Sequence, residues 1–123
     1  MARILVVEDD PDQLEMRKVI LEHAGHVVVT AQSAAEALEQ LPGCQLVVMD
    51  LRLPTAQDGQ RLIQAASGSA KIIVLSGDAD TSLPVDEFLT KPCSSRKLLE
   101  TIARFCLLLI SLSLALHAGS FTL

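Results

Sequence analysis

Four runs of consecutive apolar residues, ILVV at 4–7, VVV at 27–29, LVVM at 46–49 and IIVL at 72–75, constrain this chain more than any other feature. Each has the length of a strand and none alternates with polar residues, as expected of parallel strands covered on both faces. A weaker run at 85–89 reads as a fifth strand. Segments with helical spacing lie between the runs. Over 11–24, Leu14, Val19 and Leu21 are interspersed with Glu, Arg and Lys; Asp10 is placed to cap this helix, Pro11 to open it and Gly25 to close it. Ser33 and Glu36 form a capping box for a second helix that Pro42 and Gly43 terminate. A third is expected over 58–66, and another from 94 to about 104, with Ser94, Ser95 and Lys97 at its start. Strand and helix alternate, which indicates an α/β domain with right-handed crossovers. At 123 residues, half of them hydrophobic and only 2% aromatic, the chain suits one domain whose core is built from Val, Leu, Ile and Ala.

In an open parallel sheet, ligands bind beyond the carboxyl ends of the strands. The first strand here ends in Glu8, Asp9 and Asp10, the third in Asp50, the fourth in Ser76, and the fifth in Thr90 and Lys91. Carboxylates gathered on one rim repel one another and favour a cation among them. Mg²⁺ suits such a rim, because it takes one or two carboxylates, keeps several waters and accepts a phosphate oxygen.

The motifs ILVVEDD, MDLRLP, IIVLSG and FLTKP, in this order and each at a strand end, resemble the receiver domain of bacterial two-component response regulators, over roughly residues 2–105. The resemblance implies a flavodoxin-like, doubly wound, five-stranded parallel sheet of order 2-1-3-4-5. It also implies a signalling module rather than an enzyme. By motif, Asp50 would accept a phosphoryl group, and Asp9 with Glu8 would hold Mg²⁺, together with Asp50 and the backbone carbonyl of Arg52. Ser76 would bond a phosphoryl oxygen, Lys91 would pair with the phosphate, and Phe88 would be the aromatic that changes position with Ser76 on activation. The implied partners are a sensor histidine kinase or phosphotransfer protein and a downstream protein. The chemistry supports these roles independently, since a carboxylate attacks phosphorus only when its geometry is fixed and the charge on the transferring group is neutralised.

Two places depart from that pattern. Only residues 77–84 link Ser76 to the fifth strand; extended they span roughly 26 Å, so the fourth crossover helix is expected to be short or absent. Beyond a receiver domain at 1–106, an apolar extension at 107–123 is expected to pack on the domain or on a dimer partner. Its alternation of Ile110, Leu112, Leu114 and Leu116 with Ser111, Ser113, Ala115 and His117 favours an added strand, or a segment that changes character after Leu109. A membrane anchor is disfavoured, because Gly119, Ser120 and Thr122 dilute the end and no flanking charge anchors it.

A net charge of −5 argues against direct binding to nucleic acid. Cys44, Cys93 and Cys106 show no metal or redox spacing, and the amino terminus turns acidic too early for a secretion signal. The expected location is therefore the cytoplasm, with the cysteines as structural thiols. His23, His26 and His117 suggest no ligand set. Two other functions compete with the receiver reading: a phosphorylation-independent interaction or dimerisation module, and a phosphatase with an Asp nucleophile. The phosphatases that use a strand-end Asp carry a second acid two residues on, where this chain has Arg52.

Overall fold

The computed structural model describes residues 2–51, 55–77 and 84–121, with side-chain detail for all of these except residues 56 and 110–121. Five strands, β1 (Arg3–Val7), β2 (Val27–Ala31), β3 (Leu46–Asp50), β4 (Lys71–Ser76) and β5 (Glu87–Thr90), form one sheet of order β2-β1-β3-β4-β5. All neighbours are parallel. The helices are α1 (Pro11–His23), α2 (Ala34–Gln40), α3 (Ala56–Ala66) and α4 (Ser95–Phe121). The expected doubly wound order is thus observed.

Hydrophobic burial is segregated by the period of two along each strand. Ile4, Val6, Val48, Ile73 and Leu75 face one side, against Leu14 and Leu21 of α1 and Leu98, Ile102 and Phe105 of α4. Leu5, Val7, Val47, Met49 and Val74 face the other, against Ala37 of α2 and Leu62, Ile63 and Ala66 of α3. Nearly every residue of β1, β3 and β4 is therefore buried, which explains their unbroken hydrophobicity.

The helix boundaries follow their caps. Asp10 accepts from the Asp12 amide at 3.0 Å and opens α1, and Gly25, at φ +97°, follows its end. Ser33 accepts from the Glu36 amide at 3.1 Å, while the Glu36 carboxylate reaches back to the Gln32 amide at 2.6 Å. Replacing Ser33 by Ala should therefore cost about 1 kcal/mol, read as a lower urea midpoint with an unchanged slope. Helix α3 begins two residues before the expected 58, because Thr55 is its cap: the Asp58 amide donates to Thr55 Oγ1 at 3.2 Å, and that hydroxyl donates to the Asp58 carboxylate at 2.8 Å.

The carboxyl-terminal region corrects the strand expectation. Helix α4 does not end near residue 104 but runs to Phe121, through the alternating segment. Leu, Ser and Ala tolerate a helix, no Pro or Gly interrupts 95–118, and a helix pairs its own backbone, whereas an added strand needs a sheet edge to pair with. Phe105 is still buried, but Leu107 and Leu108 are 65% and 54% exposed. Among the described residues, no helix is long and apolar enough to cross a membrane. No helix lies between β4 and β5 among the described residues either; of the link 77–84, where the crossover helix is expected to be short or absent, residues 78–83 lie outside them.

The described histidine contacts are structural. The Ala2 amide donates to His26 Nδ1 at 3.3 Å, an acceptor role open only to the neutral ring. Burial, and then the positive amino terminus, push the His26 pKa down. A depressed histidine contributes stability that is present above its unfolded value and lost as pH falls through the folded one. Acidification from about pH 7 to about pH 5.5 should thus lower the urea midpoint, and His26→Gln should flatten part of that slope.

Candidate functional site

The topology collects the chemistry-bearing residues at the carboxyl ends of β1, β3, β4 and β5. Asp50 is the last residue of β3 and Lys91 directly follows β5; their side chains form an ion pair, with 15% and 33% of the respective side chains exposed. The pairing crosses the end of β4. Ser76 closes that strand opposite Thr90, and the Lys91 amide donates to the Ser76 carbonyl at 2.8 Å, which fixes Lys91 to the frame.

Ser76 and Phe88 share a face of the sheet. Phe88 pairs in register with Val74, and the strand period places Ser76 on the same side as Val74, one step further on. Phe88 is half-buried and packs on the cluster containing Met49 and Val74.

Of the three acids after β1, each has a different environment. Asp10 is engaged as the α1 cap and also accepts from Gln13 Nε2 at 3.4 Å. Asp9 is exposed. Glu8 continues the alternation of Ile4 and Val6 onto the α1 side, where it is 2% exposed and 3.5 Å from the guanidinium of Arg17, itself 8% exposed. Burial raises the Glu8 pKa; Arg17 opposes that, Asp50 and Asp9 add to it, and Lys91 opposes it. The charges of the rim therefore act on one another.

Sequence reasoning missed Arg17. Its signal was its place at the centre of the stripe Leu14, Arg17, Leu21, a position on α1 that faces the sheet. Arg17 Nη2 donates to Gln13 Oε1 at 3.1 Å, and a groove of about 440 Å³ between α1 and the start of α4 is lined by Gln13, Met16, Arg17, Lys91 and Cys93 among others.

Asp9 and Asp50 are the hard oxygen donors Mg²⁺ takes, and Glu8 is a third carboxylate whose Oε2 is buried without a hydrogen bond. These donors fit the ion. They are not already arranged as a cage: among the described residues no cluster of three or more such side chains is poised for a metal, and Glu8 and Asp50 are instead paired with Arg17 and Lys91. The expected carbonyl of Arg52 lies outside the described residues.

One backbone approach shapes the site. A Cβ on Gly59 would stand 1.8 Å from the Leu51 carbonyl oxygen, so only glycine lets α3 close over the residue that follows Asp50. The three cysteines are free, and burial pushes the Cys93 and Cys106 thiols up, as befits inert structural groups.

Residues 4–103 match the family model for the response regulator receiver domain. The transcriptional regulatory protein GlrR of Escherichia coli (strain K12) is 35% identical over 113 residues, covering 82% of this chain; the chain spans only 25% of that regulator's length. Protein PilH of Pseudomonas aeruginosa is 33% identical over 115 residues, with 83% of this chain and 95% of PilH covered. The crystal structure of a CheY-like response regulator receiver domain protein from Methanospirillum hungatei superposes with a TM-score of 0.75 at 31% identity, covering 85% of this chain and 92% of that one. With its sheet order and its sequence in agreement, this chain belongs to the response regulator receiver domain family.

Proposed function

We infer that this chain is a phosphoacceptor that takes a phosphoryl group on Asp50 from a phosphohistidine of a sensor histidine kinase or phosphotransfer protein, in the cytoplasm, and signals by a changed surface. The observation that carries this reading is the Asp50–Lys91 pair at the ends of β3 and β5, with Ser76 on the intervening strand. An Asp50 oxygen attacks phosphorus as the bond from phosphorus to the donor nitrogen breaks; the electron pair stays with the imidazole, and an acyl phosphate forms on Asp50. Lys91 transfers its pairing from the carboxylate to the phosphoryl oxygens, and the Ser76 hydroxyl donates to one of them. Asp9, Asp50 and Glu8 would hold Mg²⁺, which when bound would supply further neutralisation of the transferring group. Movement of Ser76 toward the phosphoryl group opens space on the face it shares with Phe88, whose repacking carries the signal outward.

Incubation with acetyl phosphate and Mg²⁺, followed by intact mass measurement, tests the reading. One base-labile phosphoryl adduct that needs the metal is expected; continuous turnover of a generic phosphate ester would favour the phosphatase alternative. The exposed Leu107 and Leu108 favour a second reading, that the α4 extension joins two copies whether or not phosphate is present. An oligomer of the same size with and without the adduct, lost on truncation after residue 106, would support it.

A further inference from the structure

The geometry points to Arg17 as an internal competitor for the metal: its guanidinium holds Glu8 away from the acidic rim, so a divalent cation binds with full affinity only when Arg17 swings into the groove beside α4. This inference rests on the metal site of the proposed function.

A guanidinium and a carboxylate this deeply buried ordinarily meet in short, directed hydrogen bonds. Here they stand 3.5 Å apart, and neither Arg17 Nη1 nor Glu8 Oε2 makes a hydrogen bond. The carboxylate is therefore neutralised but not fully satisfied, and a metal ion or a metal-bound water could take its oxygen. Arg17 has somewhere to go. Its other amino group donates to Gln13, one turn back on the same helix, and both residues line the groove of about 440 Å³ that opens between α1 and α4. Arg17 is thus placed against Glu8, and the groove beside it, which Lys91 also lines, has room for a second position. A fixed positive charge this close to the rim also opposes any cation there. The metal must displace Arg17 from Glu8, and cation binding is coupled to the side of α1 that carries Gln13 and Arg17.

Mn²⁺, whose free ion is counted by its paramagnetic resonance signal, serves as the probe with the full chain. Arg17→Met should tighten Mn²⁺ binding by about tenfold or more, whereas the same substitution in a Glu8→Gln background should change it by less than about threefold. Unaltered affinity in Arg17→Met, while Asp9→Asn abolishes binding, would overturn the competition but leave the metal site standing. An equal gain in both backgrounds would also overturn it, because Arg17 would then act as a charge at a distance rather than through Glu8. Failure of every protein to bind Mn²⁺ would remove the metal site and this inference together. Should Arg17→Met not fold, the Arg17 Nε–H resonance of the unmodified protein gives the answer: it should shift as Mg²⁺ saturates the site, and a resonance that stays in place overturns the inference.

Discussion

Asp50→Asn is expected to take no phosphoryl group from acetyl phosphate under conditions in which the unmodified chain is labelled. The amide has nearly the same shape but lacks the anionic oxygen that attacks phosphorus, so uptake should fall to background. Lys91→Ala should behave differently. The nucleophile remains, but the cation facing it is lost, and the labelling rate should drop by about 10²- to 10³-fold without reaching zero. Circular dichroism separates these losses from unfolding, since Asp50 and Lys91 lie at strand ends outside the two buried clusters. Equal labelling of Asp50→Asn would place the chemistry elsewhere. An unchanged rate in Lys91→Ala would leave the ion pair a merely structural contact.

Gly59→Ala should be the most damaging single-methyl addition in the domain. The added carbon would lie 1.8 Å from the Leu51 carbonyl oxygen, a backbone atom that cannot swing aside as a side chain can. Either α3 lifts from the end of β3 or the connection after Asp50 distorts. Helix propensity favours Ala by about 1 kcal/mol, yet the clash should leave a net loss of about 3 kcal/mol or more in urea unfolding. Labelling of the folded fraction should slow as well, because Leu51 adjoins the nucleophile. Gly77→Ala is the control: a Cβ there meets nothing within 4 Å, and stability should stay within about 0.5 kcal/mol. A loss no larger at Gly59 than at Gly77 would mean that the close approach does not exist.

The strands that sit at the centre of the sheet were legible because burial on both faces leaves no polar position in β1, β3 or β4 between their ends. Their carboxyl termini share one rim in any parallel sheet, so Glu8, Asp9, Asp50, Ser76 and Lys91 could be grouped before any side chain was placed. What pairs with what was not legible. Spacing carries no distance between Asp50 and Lys91, forty-one residues apart, nor any sign that Glu8 turns toward α1. Arg17 resembled the surface charges around it in α1 and was separable from them only by its register with Leu14 and Leu21. The alternation in 110–117 misled for a different reason: Ser and Ala at every second position fit strand and helix alike, and continuity with the preceding turns of α4 decided the outcome. At α3 the helix starts at Ala56 rather than at the expected 58 because the hydroxyl of Thr55 caps it, a two-residue difference that local composition could not resolve.

The most direct test is to trap the acyl phosphate where it forms. After incubation with acetyl phosphate and Mg²⁺, borohydride reduces an aspartyl phosphate to homoserine, which peptide mass mapping assigns to a position. Homoserine at residue 50, absent without Mg²⁺ and absent without phosphodonor, is the predicted result. An unmodified Asp50, or homoserine at Asp9 instead, would contradict the account.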